Sequence, residues 1–163
     1  MDLVTDLPFP PIEDLRITAA DHPSLDGGVE RFADEIKAEP RYFGRLDGTG
    51  PKPFPSLIAR VCSRESGFRI AALHEGRVVG LARVDDDGEV FMVVVAEARG
   101  RGVGLALARA MIDRARADGC RRLVLRSSRR SRAAVALAES MGFVVVDLGR
   151  GRIDLILDLV QAA

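Results

Sequence analysis

The chain has 163 residues, 47% of them apolar, 29% charged and 5% aromatic, and it carries no net charge because 24 basic residues balance 24 acidic ones. That length fits one globular domain and not two, with a core large enough to hold the fold without metal or disulfide staples. A neutral chain argues against broad nucleic-acid binding. Cys62 and Cys120 match no ligand spacing, so neither a metal site nor a disulfide framework is expected. The acidic start, Met1-Asp2-Leu3-Val4-Thr5-Asp6, is unlike a signal peptide, and no apolar run approaches the ~20 residues of a membrane span. A cytoplasmic location without membrane contact follows as an expectation.

Residues 1–14, broken by Pro8, Pro10 and Pro11, read as a flexible or irregular N-terminal segment. Leu15 to Ala19 alternates like a short strand. A helix is predicted from about Gly28 to Ala38 through Val29, Phe32, Ala33 and Ile36, then a Gly/Pro-rich loop from Gly44 to Pro55 and a short helix from Ser56 to Ser63. Phe68 to Leu73, Val78 to Val84 and Glu89 to Ala96 are separated by the turns Glu75-Gly76 and Asp85-Asp86-Asp87-Gly88, which predicts an antiparallel three-strand meander. A helix through Leu105, Ala108, Ile112 and Ala115 stops at Asp118-Gly119. A buried strand Leu123-Val124-Leu125, a helix through Ala133, Ala134, Leu137, Ala138 and Met141, and two closing strands, Phe143 to Val146 and Ile153 to Leu159, complete the pattern. The order β-α-α-β-β-β-α-β-α-β-β predicts an α/β domain around a mixed sheet.

Charge is unevenly spread: residues 99–132 hold 11 arginines and two acidic residues, a block suited either to a small polyanion or to solvated helix faces. Inside it, Arg99-x-x-Gly102-x-Gly104 stands where a strand ends and a helix begins. A helix start offers unpaired N–H groups and partial positive charge, and glycines let a phosphate reach them. The run lacks the Lys-Ser/Thr of a P-loop and the three-glycine spacing of a dinucleotide site.

Val95-Ala96-Glu97-Ala98-Arg99-Gly100-Arg101-Gly102-Val103-Gly104-Leu105-Ala106 resembles the acyl-CoA-binding signature of GNAT acetyltransferases, and Met141-Gly142-Phe143 resembles that family's Gly-Phe ending. The resemblance covers residues 68–145 well. It implies one GNAT-type domain over residues 1–163: a mixed sheet with an antiparallel N-terminal meander, a central splayed parallel strand pair (Glu89 to Ala96 with Arg122 to Arg126) and flanking helices. It also implies acetyl-CoA as cofactor, its pantetheine arm paired with backbone at Val93, Val94 and Val95. The diphosphate would lie on the amides of Gly100, Arg101, Gly102, Val103 and Gly104, with Arg99 and Arg101 adding charge.

Acyl transfer to an amine needs a base, for which Glu89 is the candidate; its alternative role is an exposed charge at a hairpin end. The segment Gly88 to Val95 resembles the matching strand of bacterial Pat-type protein lysine acetyltransferases, and Arg41-Tyr42-Phe43 resembles part of their first-loop motif. In the last helix, the position where the family often has a thiolate-protonating tyrosine is Ala138. The usual asparagine is Ser131, and Ala134 matches. Arg126, Arg129, Arg130 and Arg132 are candidates for the adenosine 3′-phosphate or for a helix start. Cys120 reads as a small core residue, His22 and His74 as surface residues, and Glu97 as a solvated loop residue. Asp85 to Asp87 read as a turn. The function implied is acetyl transfer from acetyl-CoA to an amine, either a protein lysine or a small amine, by a monomer or homodimer. A non-catalytic acyl-CoA sensor is the reading from another class.

Overall fold

A computed structural model describes residues 9–39 and 54–160. Its elements are β1 (Arg16–Ala19), α1 (Asp26–Lys37), α2 (Phe54–Cys62), β2 (Phe68–His74), β3 (Arg77–Val84), β4 (Val90–Val94), α3 (Val103–Ala117), β5 (Arg122–Ser128), α4 (Arg132–Ser140), β6 (Val144–Gly149) and β7 (Arg152–Asp158), with single 3₁₀ turns at Pro23–Leu25 and Ala96–Ala98. The order is the one the punctuation predicts. Residues 41 to 43 and most of the Gly/Pro-rich loop lie outside the described residues.

Local chemistry accounts for the joints. The turn between β2 and β3 has two residues, Glu75 and Gly76, both at positive φ, the geometry that matches the twist of a hairpin. Between β3 and β4, Asp85 Oδ1 accepts from the N–H groups of Asp87 and Glu89, each at 3.0 Å, so the acidic cluster builds its own turn as expected. Asp86 Oδ1 accepts from Gly67 N at 2.8 Å and ties that turn to the start of β2.

The strands form two sheets. The first runs β1-β2-β3-β4 and is antiparallel throughout; the second runs β5-β7-β6, with β7 antiparallel between its neighbours. Between β4 and β5 there is one isolated parallel bridge, Glu89 with Val124, in which Val124 N donates to Gly88 O at 2.9 Å. Beyond it the strands part, which is the splayed pair the family resemblance implies.

The core lies between the helices and these sheets. α1 buries Val29, Phe32, Ala33 and Ile36, and α3 buries Val103, Leu107, Met111, Ile112 and Ala115. Full burial of one large aliphatic side chain contributes about 1.5–3 kcal/mol. β7 alternates, with Ile153, Leu155 and Leu157 buried.

Two arginines are buried as well. Arg69, only 2% exposed, donates to Ala20 O from Nε (3.0 Å) and Nη2 (2.7 Å) and to Cys62 O from Nη1 (2.5 Å), fastening the ends of β1 and α2 to β2. Cys120 is half-buried just ahead of β5 and packs against the core from its edge, and its thiol donates to Arg122 O at 3.3 Å. His22 is exposed, its Nδ1 accepting from Ser24 N at 3.2 Å; His74, at the end of β2, is half-buried rather than on the surface.

Candidate active site

The loop between β4 and α3 turns on Gly100 and Gly102, at φ 69° and 85°. Gly102 is the N-cap of α3 in the left-handed region, where a residue with a Cβ is strained by about 1–2 kcal/mol. No side chain caps the helix, and among the described residues the N–H groups of Gly100 to Leu105 have no acceptor. The loop's carbonyls, by contrast, are used: Gly100 O accepts from Phe9 N at 3.3 Å and Gly102 O from Ala106 N at 3.1 Å. The loop therefore presents unpaired donors at the positive end of a 15-residue helix, an arrangement that favours an anion.

The edge of β4 beside the gap follows from the ladder. Asp85 N donates to Glu89 O and Val95 N to Val79 O, so the odd-numbered residues of β4 exchange hydrogen bonds with β3. Val90, Met92 and Val94 turn their backbone groups the other way. Of the three expected residues, Val94 thus faces the gap, while Val93 and Val95 are committed to β3 and buried. Met92 is the residue sequence reasoning missed; counting alternate positions back from a fixed turn bond would have found it.

Arg99 lies across this edge. Its Nε donates to Val94 O at 2.9 Å and its Nη1 pairs with Glu39 Oε2 at 3.0 Å, so its charge is engaged by the fold. Arg101 Nε donates to Pro10 O at 3.0 Å. Ser131, 8% exposed, is the N-cap of α4 and makes no capping bond; Ala134 is half-buried on that helix, and Ala138 is in the core.

Glu89 sits at the point where the strands part. Its side chain is 17% exposed and lies between two guanidinium groups, Arg60 Nη1 at 3.6 Å from Oε2 and Arg126 Nη1 at 3.7 Å from Oε1. It is thus a half-buried, clamped carboxylate at the mouth of the gap. Neither arginine was signalled as its partner, because they come from α2 and β5, far away in sequence. Arg126 serves Glu89, and Arg129 pairs with Asp147 at 2.5 Å; Arg130 and Arg132 are exposed around the start of α4. Glu97 is not simply solvated: it pairs with Arg77 at 2.5 Å, and its carboxyl is held below the ordinary value by its own backbone N–H and then by Arg77.

Beside Glu89 an open cavity of about 560 Å³ is lined by Arg60, Arg83, Ser63, Ser66, Glu65 and Asp85 among others. Among the described residues no cluster of His, Cys, Asp and Glu could hold a metal, and no helix is long and apolar enough to cross a membrane.

The model of the acetyltransferase (GNAT) family matches residues 30–143. No curated protein sequence matches the chain. Among solved structures, the GNAT domain of S. lividans PAT is similar at 19% identity over 88% of this chain and 90% of that one, with a TM-score of 0.70. The yncA protein of Salmonella typhimurium, solved with its cofactor acetyl-CoA, is 21% identical over 91% and 96%, TM-score 0.69. Spermidine N-acetyltransferase from Vibrio cholerae, solved with CoA and spermine, is 15% identical over 89% and 95%, TM-score 0.64.

Proposed function

Because the chain belongs to the acetyltransferase (GNAT) family, we propose that residues 1–163 form a single acetyltransferase domain that moves the acetyl group of acetyl-CoA onto an amine held beside Glu89. The observation that carries this reading is the gap itself: one bridge at Glu89 and Val124, then an open β4 edge leading to the uncapped start of α3. The residues fit the donor. The N–H groups of Gly100 to Gly104 would take the diphosphate, and the backbone of Met92 and the N–H of Val94 would pair with the pantetheine amides, which satisfies groups that a splayed strand leaves open, the Val94 carbonyl already accepting from Arg99. Ser131 and Ala134 on α4 would line the other wall.

The thioester supplies the acyl group, and the chain supplies position and a base. Glu89, directly or through one water, takes the proton that the ammonium must lose before its nitrogen attacks the carbonyl carbon and the carbon–sulfur bond breaks. Arg60 and Arg126 hold the carboxylate in place for that transfer. Ala138 has no proton to give, so the departing thiolate takes one from water.

Two acceptors fit. The likeness of β4 to Pat-type enzymes supports a protein lysine, and the cavity beside Glu89 supports a small amine. The expected setting is the cytoplasm, with no nucleic acid or membrane partner and with the chain a monomer or homodimer. The experiment is Glu89→Gln, assayed by release of free CoA thiol over a panel of amines and lysine peptides. The rate should fall about 10²–10⁴-fold with acetyl-CoA affinity nearly unchanged. Failure of the wild-type protein to turn over any amine while it binds acetyl-CoA would instead mark a sensor.

A further inference from the structure

The wall of the cavity beside Glu89 carries four charged side chains, and the one that is buried is a cation. Arg83 is 6% exposed, whereas Asp85 is half-buried and Arg60 and Glu65 are exposed. Arg83 Nη2 donates to the carbonyls of Glu65 and Ser66, the latter at 3.2 Å, but Nε is buried and has no partner among the described residues. A buried donor of this kind is costly unless something accepts from it. Asp85 does not: among the described residues no bond joins it to Arg83, and its Oδ1 accepts from two turn amides instead.

The second cation stands close by. Arg60 and Arg83 both pack over the ring of Phe91, at 5.6 Å and 6.0 Å from its centre. Phe91 lies on the same face of β4 as Glu89, two residues on, roughly 7 Å along the strand. Arg60 also reaches Glu89 directly. Both guanidinium groups line that one space, whose volume admits a small molecule, and Arg60 links it to the Glu89 carboxylate 3.6 Å away.

We propose that this cavity is an anion subsite for the acceptor: Arg83, with Arg60, receives the carboxylate of an amino acid while its amine faces Glu89. The donors left on Arg83 and Arg60 suit a carboxylate, which accepts charge-assisted bonds from such planar forks. Glu65 and Asp85 at the same wall repel a second negative group, so a monocarboxylate with one amine is the chemistry that matches. The inference rests on the acetyl-transfer reading and narrows its acceptor.

The test uses the full chain with acetyl-CoA and two matched panels, the common L-amino acids and the same compounds as carboxamides. The expected result is a kcat/KM at least about tenfold higher for the best amino acid than for its carboxamide. Arg83→Met should abolish that preference. Because Arg83 also ties two carbonyls, Arg60→Gln on the exposed rim provides a second reading, in which the preference shrinks whatever happens to the absolute rate. Equal rates on acids and carboxamides, or a preference untouched by Arg60→Gln, overturn the proposal. Calorimetric binding of the amino acids is read separately. Binding that is weakened by Arg60→Gln without turnover of any amine would sink the acetyl-transfer reading and leave the subsite standing.

Discussion

Glu89 and Val124 are the single point at which the two sheets are hydrogen-bonded to one another in the described structure, and the carboxylate of Glu89 stands at that junction. The proposed base is thereby fixed by the same rung that ends the contact between β4 and β5. The position of that carboxylate is set by one backbone feature.

The residue before it makes that rung possible. Gly88 has φ 82°, and a Cβ built there would stand 2.1 Å from Arg122 O. Gly88→Ala is expected to displace β5 from β4, lowering stability by about 2 kcal/mol or more through strain and clash together. Thermal unfolding measures the loss. An unchanged midpoint would show that the junction has slack the geometry does not suggest.

The glycine that caps α3 makes a different prediction. Gly102→Ala places a Cβ in the left-handed region at the turn proposed to hold the diphosphate. Titration with acetyl-CoA should show affinity falling about tenfold, because a free loop that relaxes out of the left-handed region must regain about 1–2 kcal/mol of strain to bind. Affinity equal to that of the parent would remove the loop from the binding site.

Arg69 is a structural test separate from the active site. Arg69→Met leaves the carbonyls of Ala20 and Cys62 without their donors in a buried setting. The cost should be about 2–4 kcal/mol in chemical denaturation, with acetyl-CoA affinity retained in the protein that remains folded.

Glu97 supplies the pH dependence. Its folded-state carboxyl lies below the ordinary value, first through its backbone N–H and next through Arg77. A lowered acid stabilises the fold above its unfolded value of about 4.3, and the contribution disappears as the pH falls through the lower folded value. Arg77→Gln removes the second cause and keeps the first. NMR titration should therefore find the Glu97 midpoint raised in the variant yet still below the ordinary value; a midpoint that does not move would deny Arg77 any part.

What could be read from the residues in order was local. Glu75-Gly76 and Asp85 to Gly88 mark their turns because the chemistry of a turn is contained in its own few residues, and the glycine run before α3 announces an open helix start for the same reason. Glu89 was legible as a candidate, but its clamp was not: Arg60 and Arg126 reach it only after α2 packs over β4 and β5 docks beside it. Met92 was passed over in favour of Val93 and Val95 because hydrogen-bonding parity depends on where the ladder begins. Arg83 sits inside an apolar strand, where nothing in the neighbouring letters tells whether a guanidinium turns inward or out.

The parted strands have one more consequence. A chain of amides arriving between β4 and β5 meets a slot that is already vacant, so no native ladder has to melt to admit it. The ordering entropy of that edge was spent when the protein folded, and a visitor that zips into it inherits the alignment.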